Sequence, residues 1–100
     1  MEKIPSLSAK ELLALKLLIN AGREMYGLEM VEQSNSLLKR GTVYTTLFRM
    51  EQKGYIESRK ESVDETDAKA PRRLYKPSGL GSRVLSAHEI FGQDLSGAMV

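Results

Sequence analysis

From Leu12 to Ile19, six of eight residues are leucine or isoleucine, the other two being Ala14 and Lys16. At 100° per residue such a run cannot place all its apolar side chains on one face, so a helix built from it must be covered on more than one side. The core of the domain covers one side, and a second surface such as a subunit interface takes the rest. Signals for the ends of this helix lie beside it. Ser8 and Glu11 stand in the S-x-x-E spacing of a capping box, Leu7 and Leu12 are placed for a hydrophobic staple, and Gly22 marks a left-handed C-cap.

Downstream the helical period recurs and then stops. Met25 to Gln33 reads as a short second helix with Leu28 and Val31 inward and Tyr26 and Met30 on adjacent ground. Ser34, Asn35 and Ser36 form a polar turn. Gly41 to Lys53 is a third helix, ended by Gly54, whose stripe of Val43, Leu47 and Met50 leaves Thr42, Thr45, Arg49 and Gln52 on the opposite face. Phe48 falls near that polar, cationic face, which a single apolar stripe does not explain. Tyr55 to Lys60 and Arg72 to Lys76 read as two short strands of a hairpin around a long polar loop, with Pro77 closing the second. Ser78 then caps a last helix in which Leu80, Val84, Ala87, Phe91 and Leu95 recur at spacings of three and four, up to Gly97. The fold class expected is mainly α with a small β-hairpin, an α+β chain of one domain.

Charge is segregated along the chain far more than the formal net of +2 implies. Residues 39–60 carry Lys39, Arg40, Arg49, Lys53, Arg59 and Lys60 against Glu51 and Glu57. Glu61, Asp64, Glu65 and Asp67 follow with no base among them, and then Lys69, Arg72, Arg73, Lys76 and Arg83 with no acid. Catalysis is not expected. The chain has no cysteine, His88 is its single histidine, and Gly79-Leu80-Gly81 lacks the lysine and preceding strand of a phosphate loop. Neither a cofactor nor a metal is expected, and no apolar run is long enough for a membrane span, so the chain reads as cytoplasmic.

Four segments carry a family likeness. Met25-Tyr26-Gly27-Leu28-Glu29-Met30, Arg40-Gly41-Thr42-Val43-Tyr44, the stretch from Leu47 to Ile56, and Arg73-Leu74-Tyr75-Lys76-Pro77-Ser78 together resemble successive signatures of the PadR transcriptional regulators. The resemblance covers about residues 7 to 95. It implies a winged helix-turn-helix, with residues 1–78 as the DNA-binding domain and residues 79–97 as a dimerisation helix packed on the same domain. The partners it implies are double-stranded DNA, a second copy of the chain forming a homodimer, and in some members a small-molecule effector. Repression of a pseudo-palindromic operator is the activity expected. Gly79-Leu80-Gly81-Ser82 departs from the family, which more often has a threonine and two acids ahead of the glycine, and the larger C-terminal domain of longer relatives is not expected.

On that reading Thr42, Thr45 and Arg49 face the major groove, where hydroxyls bond bases or phosphates and Arg forks onto guanine. Tyr44 either donates its hydroxyl to a phosphate or serves packing alone. Lys39, Arg40 and the N-terminal amides of the third helix hold a phosphate. Arg72, Arg73 and Lys76 touch the backbone from the wing, while the acids Asp64, Glu65 and Asp67 keep its tip off the DNA. Leu80, Val84, Ala87, Phe91 and Leu95 form the dimer stripe. An adaptor that uses the same fold to bind protein is the alternative.

Overall fold

The computed structural model describes residues 7–62 and 72–99, with side chains described as far as Ile90. Helix α1 (Ala9–Ala21) starts as its sequence dictates: Ser8 Oγ accepts from the Glu11 N–H at 3.1 Å and the Glu11 carboxylate accepts from the Ser8 N–H at 2.8 Å. It ends at Gly22, whose φ of 64° is the left-handed cap conformation. Ala14, Leu15 and Leu18 are buried, and Leu12, Leu13, Leu17 and Ile19 are half-buried against the same core. The helix is thus covered on several sides, as its leucine density requires.

Where one second helix was expected, the chain forms a two-residue strand β1 (Met25–Tyr26) followed by α2 (Gly27–Gln33). The sheet is therefore three-stranded and antiparallel in the order β1-β3-β2, with β2 at Ile56–Lys60 and β3 at Arg73–Pro77. Met25 pairs with Tyr75, and Ser58 pairs with Tyr75 from the other side. The later helix start also corrects the placing of Leu28. Gly27, Met30 and Val31 take the buried side, and Leu28 is 42% exposed.

Helix α3 spans Val43–Gln52, two residues shorter at its start than its pattern suggested. Ser34 sets its approach to α2, its hydroxyl donating to the Val31 carbonyl at 2.8 Å and accepting from the Leu38 N–H at 2.9 Å. Asn35 and Ser36 turn the chain with φ of 54° and 65°. Val43, Leu47 and Met50 are buried as read. A last helix α4 (Gly79–Met99) passes the end expected at Gly97, and Ser78 Oγ accepts from the Gly81 N–H at 2.9 Å as its cap. Gly81 lies so close to the chain entering β2 that a Cβ there would stand 2.0 Å from the Tyr55 carbonyl oxygen. Backbone contact of that kind lets α4 pack on α1 and seal the core with Val84 and Leu85.

Candidate nucleic-acid interface

Helix α3 turns one face outward. Thr42, Tyr44, Thr45, Phe48, Arg49 and Gln52 are all exposed there. Thr42 precedes the first turn with no side-chain cap, and the Val43 N–H donates to the Lys39 carbonyl at 2.8 Å, so the exposed Lys39 and Arg40 lie on the loop that enters α3. Among the described residues no ion pair engages Lys39, Arg40, Arg49 or Lys76, whose charges face solvent. Thr42, Thr45 and Arg49 thus share the outward side of α3, and Lys39 and Arg40 are exposed on the loop that leads into it.

Tyr44 is half exposed, yet its ring is also structural: a Cβ at Gly27 would come within 2.7 Å of it. The absent side chain at Gly27 is what allows the start of α2 to rest on the Tyr44 ring. Both parts foreseen for Tyr44 remain compatible with that geometry, since the ring braces α2 while half of the residue stays accessible.

Two of the wing cations, Arg72 and Arg73, differ from those of α3 in being held. The Arg72 guanidinium lies 3.8 Å over the Tyr26 ring and pairs with Glu61 at 3.5 Å. Glu61 is buried, and its carboxylate accepts the Tyr26 hydroxyl, an interaction that pushes the Tyr26 pKa up, with burial acting the same way. This cluster ties the ends of β2 and β3 to β1. Nothing in the sequence pattern signals it, because its members lie 35 and 11 residues apart and no local period links them. Arg73 donates to Ser58 Oγ at 2.9 Å, and Ser58 in turn donates to Glu51 at 2.9 Å. Of the three wing candidates, Lys76 alone stands exposed without such a tie among the described residues. Asp64, Glu65, Asp67 and Lys69 lie outside the described residues.

The expected dimer stripe divides. Leu80 is exposed and Ala87 half-buried, whereas Val84 is 2% exposed and belongs to the chain's own core. That is a correction, because a side chain enclosed by its own domain positions α4 and has no surface left for a partner. The side chains of Phe91 and Leu95 lie outside the described residues. Ile90, which the stripe omitted, is 56% exposed.

The family model of the PadR-like transcriptional regulators matches residues 14–87. The chain belongs to that family. Its helices and three-stranded sheet form the winged helix-turn-helix of PadR regulators, and the family's members are transcription regulators, not enzymes. The chain is similar to a PadR family transcription regulator from hypervirulent Clostridium difficile R20291, at 25% identity and a TM-score of 0.76, over 92% of this chain and 95% of that one. A PadR family regulator from Eggerthella lenta DSM 2243 is similar at 22% identity and a TM-score of 0.69, over 87% of this chain and 77% of that one. A zinc-responsive MarR family member from Lactococcus lactis shares the fold alone, at 17% identity and a TM-score of 0.67, over 98% of this chain and 62% of that one. Among functionally curated proteins none matches this PadR chain. Among the described residues no helix is long and apolar enough to cross a membrane, and no cluster of histidine, aspartate or glutamate could hold a metal ion.

Proposed function

We propose that this PadR protein is a sequence-specific repressor that binds a pseudo-palindromic operator as a homodimer in the cytoplasm. The observation that carries the reading is the outer face of α3, where Thr42, Thr45 and Arg49 stand exposed, with Lys39 and Arg40 exposed on the preceding loop and unpaired among the described residues. Hydroxyls and a free guanidinium on one helix face supply the donors and acceptors that base edges in the major groove require. Lys39, Arg40 and the Tyr44 and Thr45 amides in the first turn of α3 hold a phosphate, the Val43 N–H being bonded to the Lys39 carbonyl, while Tyr44 braces the helix and offers its hydroxyl to the backbone.

On the wing, Lys76 meets phosphate directly, and Arg72 and Arg73 add charge from fixed positions on Tyr26 and Ser58. The dimer uses α4 through Leu80, Ala87 and the exposed Ile90, with Phe91 and Leu95 continuing the stripe in sequence. Selection of bound fragments from a random duplex pool tests this. The expected result is an inverted repeat with half-sites about one helical turn apart or a multiple of it. A pool that emerges without enriched sequence, from a protein shown to be folded, favours the protein-binding adaptor.

A further inference from the structure

Phe48 is 61% exposed, the most exposed aromatic among the described residues. Apolar residues scattered singly over a surface need no explanation. Phe48 differs in where it stands. Taking Val43, Leu47 and Met50 as the buried direction of α3, Phe48 lies about 50° from the centre of the opposite face, closer to it than Thr42 at about 70°. Thr45 and Gln52 flank it on that face, Arg49 follows it, and Tyr44 precedes it by one turn on the half-exposed side. A shallow cleft lined by Tyr44, Phe48, Glu51, Gln52, Arg73 and Tyr75 runs from it toward β3.

A phenyl ring neither donates nor accepts a conventional hydrogen bond, so in a groove it recognises apolar surface only. In the major groove the C5-methyl of thymine is the one such group on the base edges, and aromatic or methyl side chains are its usual partners. Arg49 next to Phe48 and Arg73 in the cleft favour nucleic acid over a protein surface, Glu51 on the same cleft being engaged by the Ser58 hydroxyl. One isolated ring is also far short of the roughly 1,000 Å² that a specific protein interface buries. From these observations we infer that Phe48 is a specificity-determining residue that packs on a thymine methyl, fixing an A·T pair beside the base read by Arg49 in each half-site. This rests on the DNA-binding reading above and adds the base it selects.

Uracil, which differs from thymine by that methyl alone, gives the test. Each symmetry-related pair of thymines in the selected operator is replaced in turn by uracil, and the full-length protein and its Phe48→Ala and Phe48→Leu variants are titrated against the set. One thymine pair is expected to matter, costing the wild-type protein about fourfold per half-site and about fifteenfold per dimer, the effect of one methyl left in water on each side. Phe48→Ala is expected to bind the unmodified operator that much more weakly and to be indifferent to uracil at the same position. Phe48→Leu should keep part of the sensitivity, and because the ring is exposed both variants should match the wild type in circular dichroism. A wild-type protein that binds its operator specifically and tolerates every uracil within twofold overturns the inference about Phe48 alone. The same holds if Phe48→Ala keeps the wild-type sensitivity to uracil, and an unchanged operator affinity in Phe48→Ala would leave the ring for a protein partner and overturn it too. Absence of any selected sequence removes the DNA-binding reading and this inference with it.

Discussion

Arg49 and Arg73 are both exposed, but Arg49 has no partner among the described residues whereas Arg73 is anchored on Ser58 Oγ. Arg49→Ala is therefore expected to lower affinity for the operator far more than for random duplex, with about 1–3 kcal/mol of discrimination lost. Arg73→Ala should weaken both DNAs alike and make the salt slope shallower by about one unit. Equal loss on both DNAs for Arg49→Ala in anisotropy titrations would reverse these roles. A second expectation concerns Glu11. Its burial alone would push its pKa up, but the Ser8 N–H and the Lys53 ammonium at 2.9 Å outweigh burial and hold it below the ordinary carboxylate value. A depressed pKa stabilises the fold fully above that ordinary value, and the contribution disappears as pH falls through the folded pKa. Glu11→Gln should thus cost about 1–3 kcal/mol near neutral pH and progressively less toward pH 3, read from urea midpoints. The exposure of Thr45 and Arg49 was legible in the sequence because 100° spacing fixes a helix face. The stacking of Arg72 on Tyr26 was not, because it depends on β1 meeting β3.

At the scale of elements, four helices and the two longer strands were legible from apolar period, caps and proline. β1 was hidden, since two residues display no alternation and Met25–Tyr26 becomes a strand only because β3 offers an edge to pair with. That miss carried Leu28 to the wrong side. Gly79 and Gly81, both at the entry to α4, differ in what they face. A Cβ at Gly81 would collide with the Tyr55 carbonyl at 2.0 Å, while one at Gly79 meets only the Arg83 side chain at 3.6 Å. Gly81→Ala is expected to destabilise the protein by about 1–3 kcal/mol, as overpacking does. Gly79→Ala should be neutral or slightly stabilising by chemical denaturation. Equal effects at the two positions would mean that α4 does not depend on that approach.

At the scale of the whole molecule, the repeat of Leu80, Val84 and Ala87 announced a helix but could not say which side belongs to the chain's own core and which to a partner. Both are apolar and share one period. Val84 settled on the inside, and Ile90 is left in solvent. Because Ile90 is exposed within the chain, Ile90→Asp should spare the fold, halve the mass in sedimentation and weaken operator binding through loss of the second half-site. A mutant that stays dimeric would move the interface toward α1. If two α3 helices read the operator while cations on the helices and wings displace counterions from its backbone, both sequence and salt must govern affinity. Titrating the selected inverted repeat and a scrambled duplex across a series of salt concentrations measures both. Contact with roughly four to eight phosphates predicts a slope of about −4 to −7 in log affinity against log salt. The inverted repeat should also bind at least about a thousandfold more tightly than the scrambled duplex. Equal affinities for the two duplexes, or affinity indifferent to salt, would contradict that mode of binding.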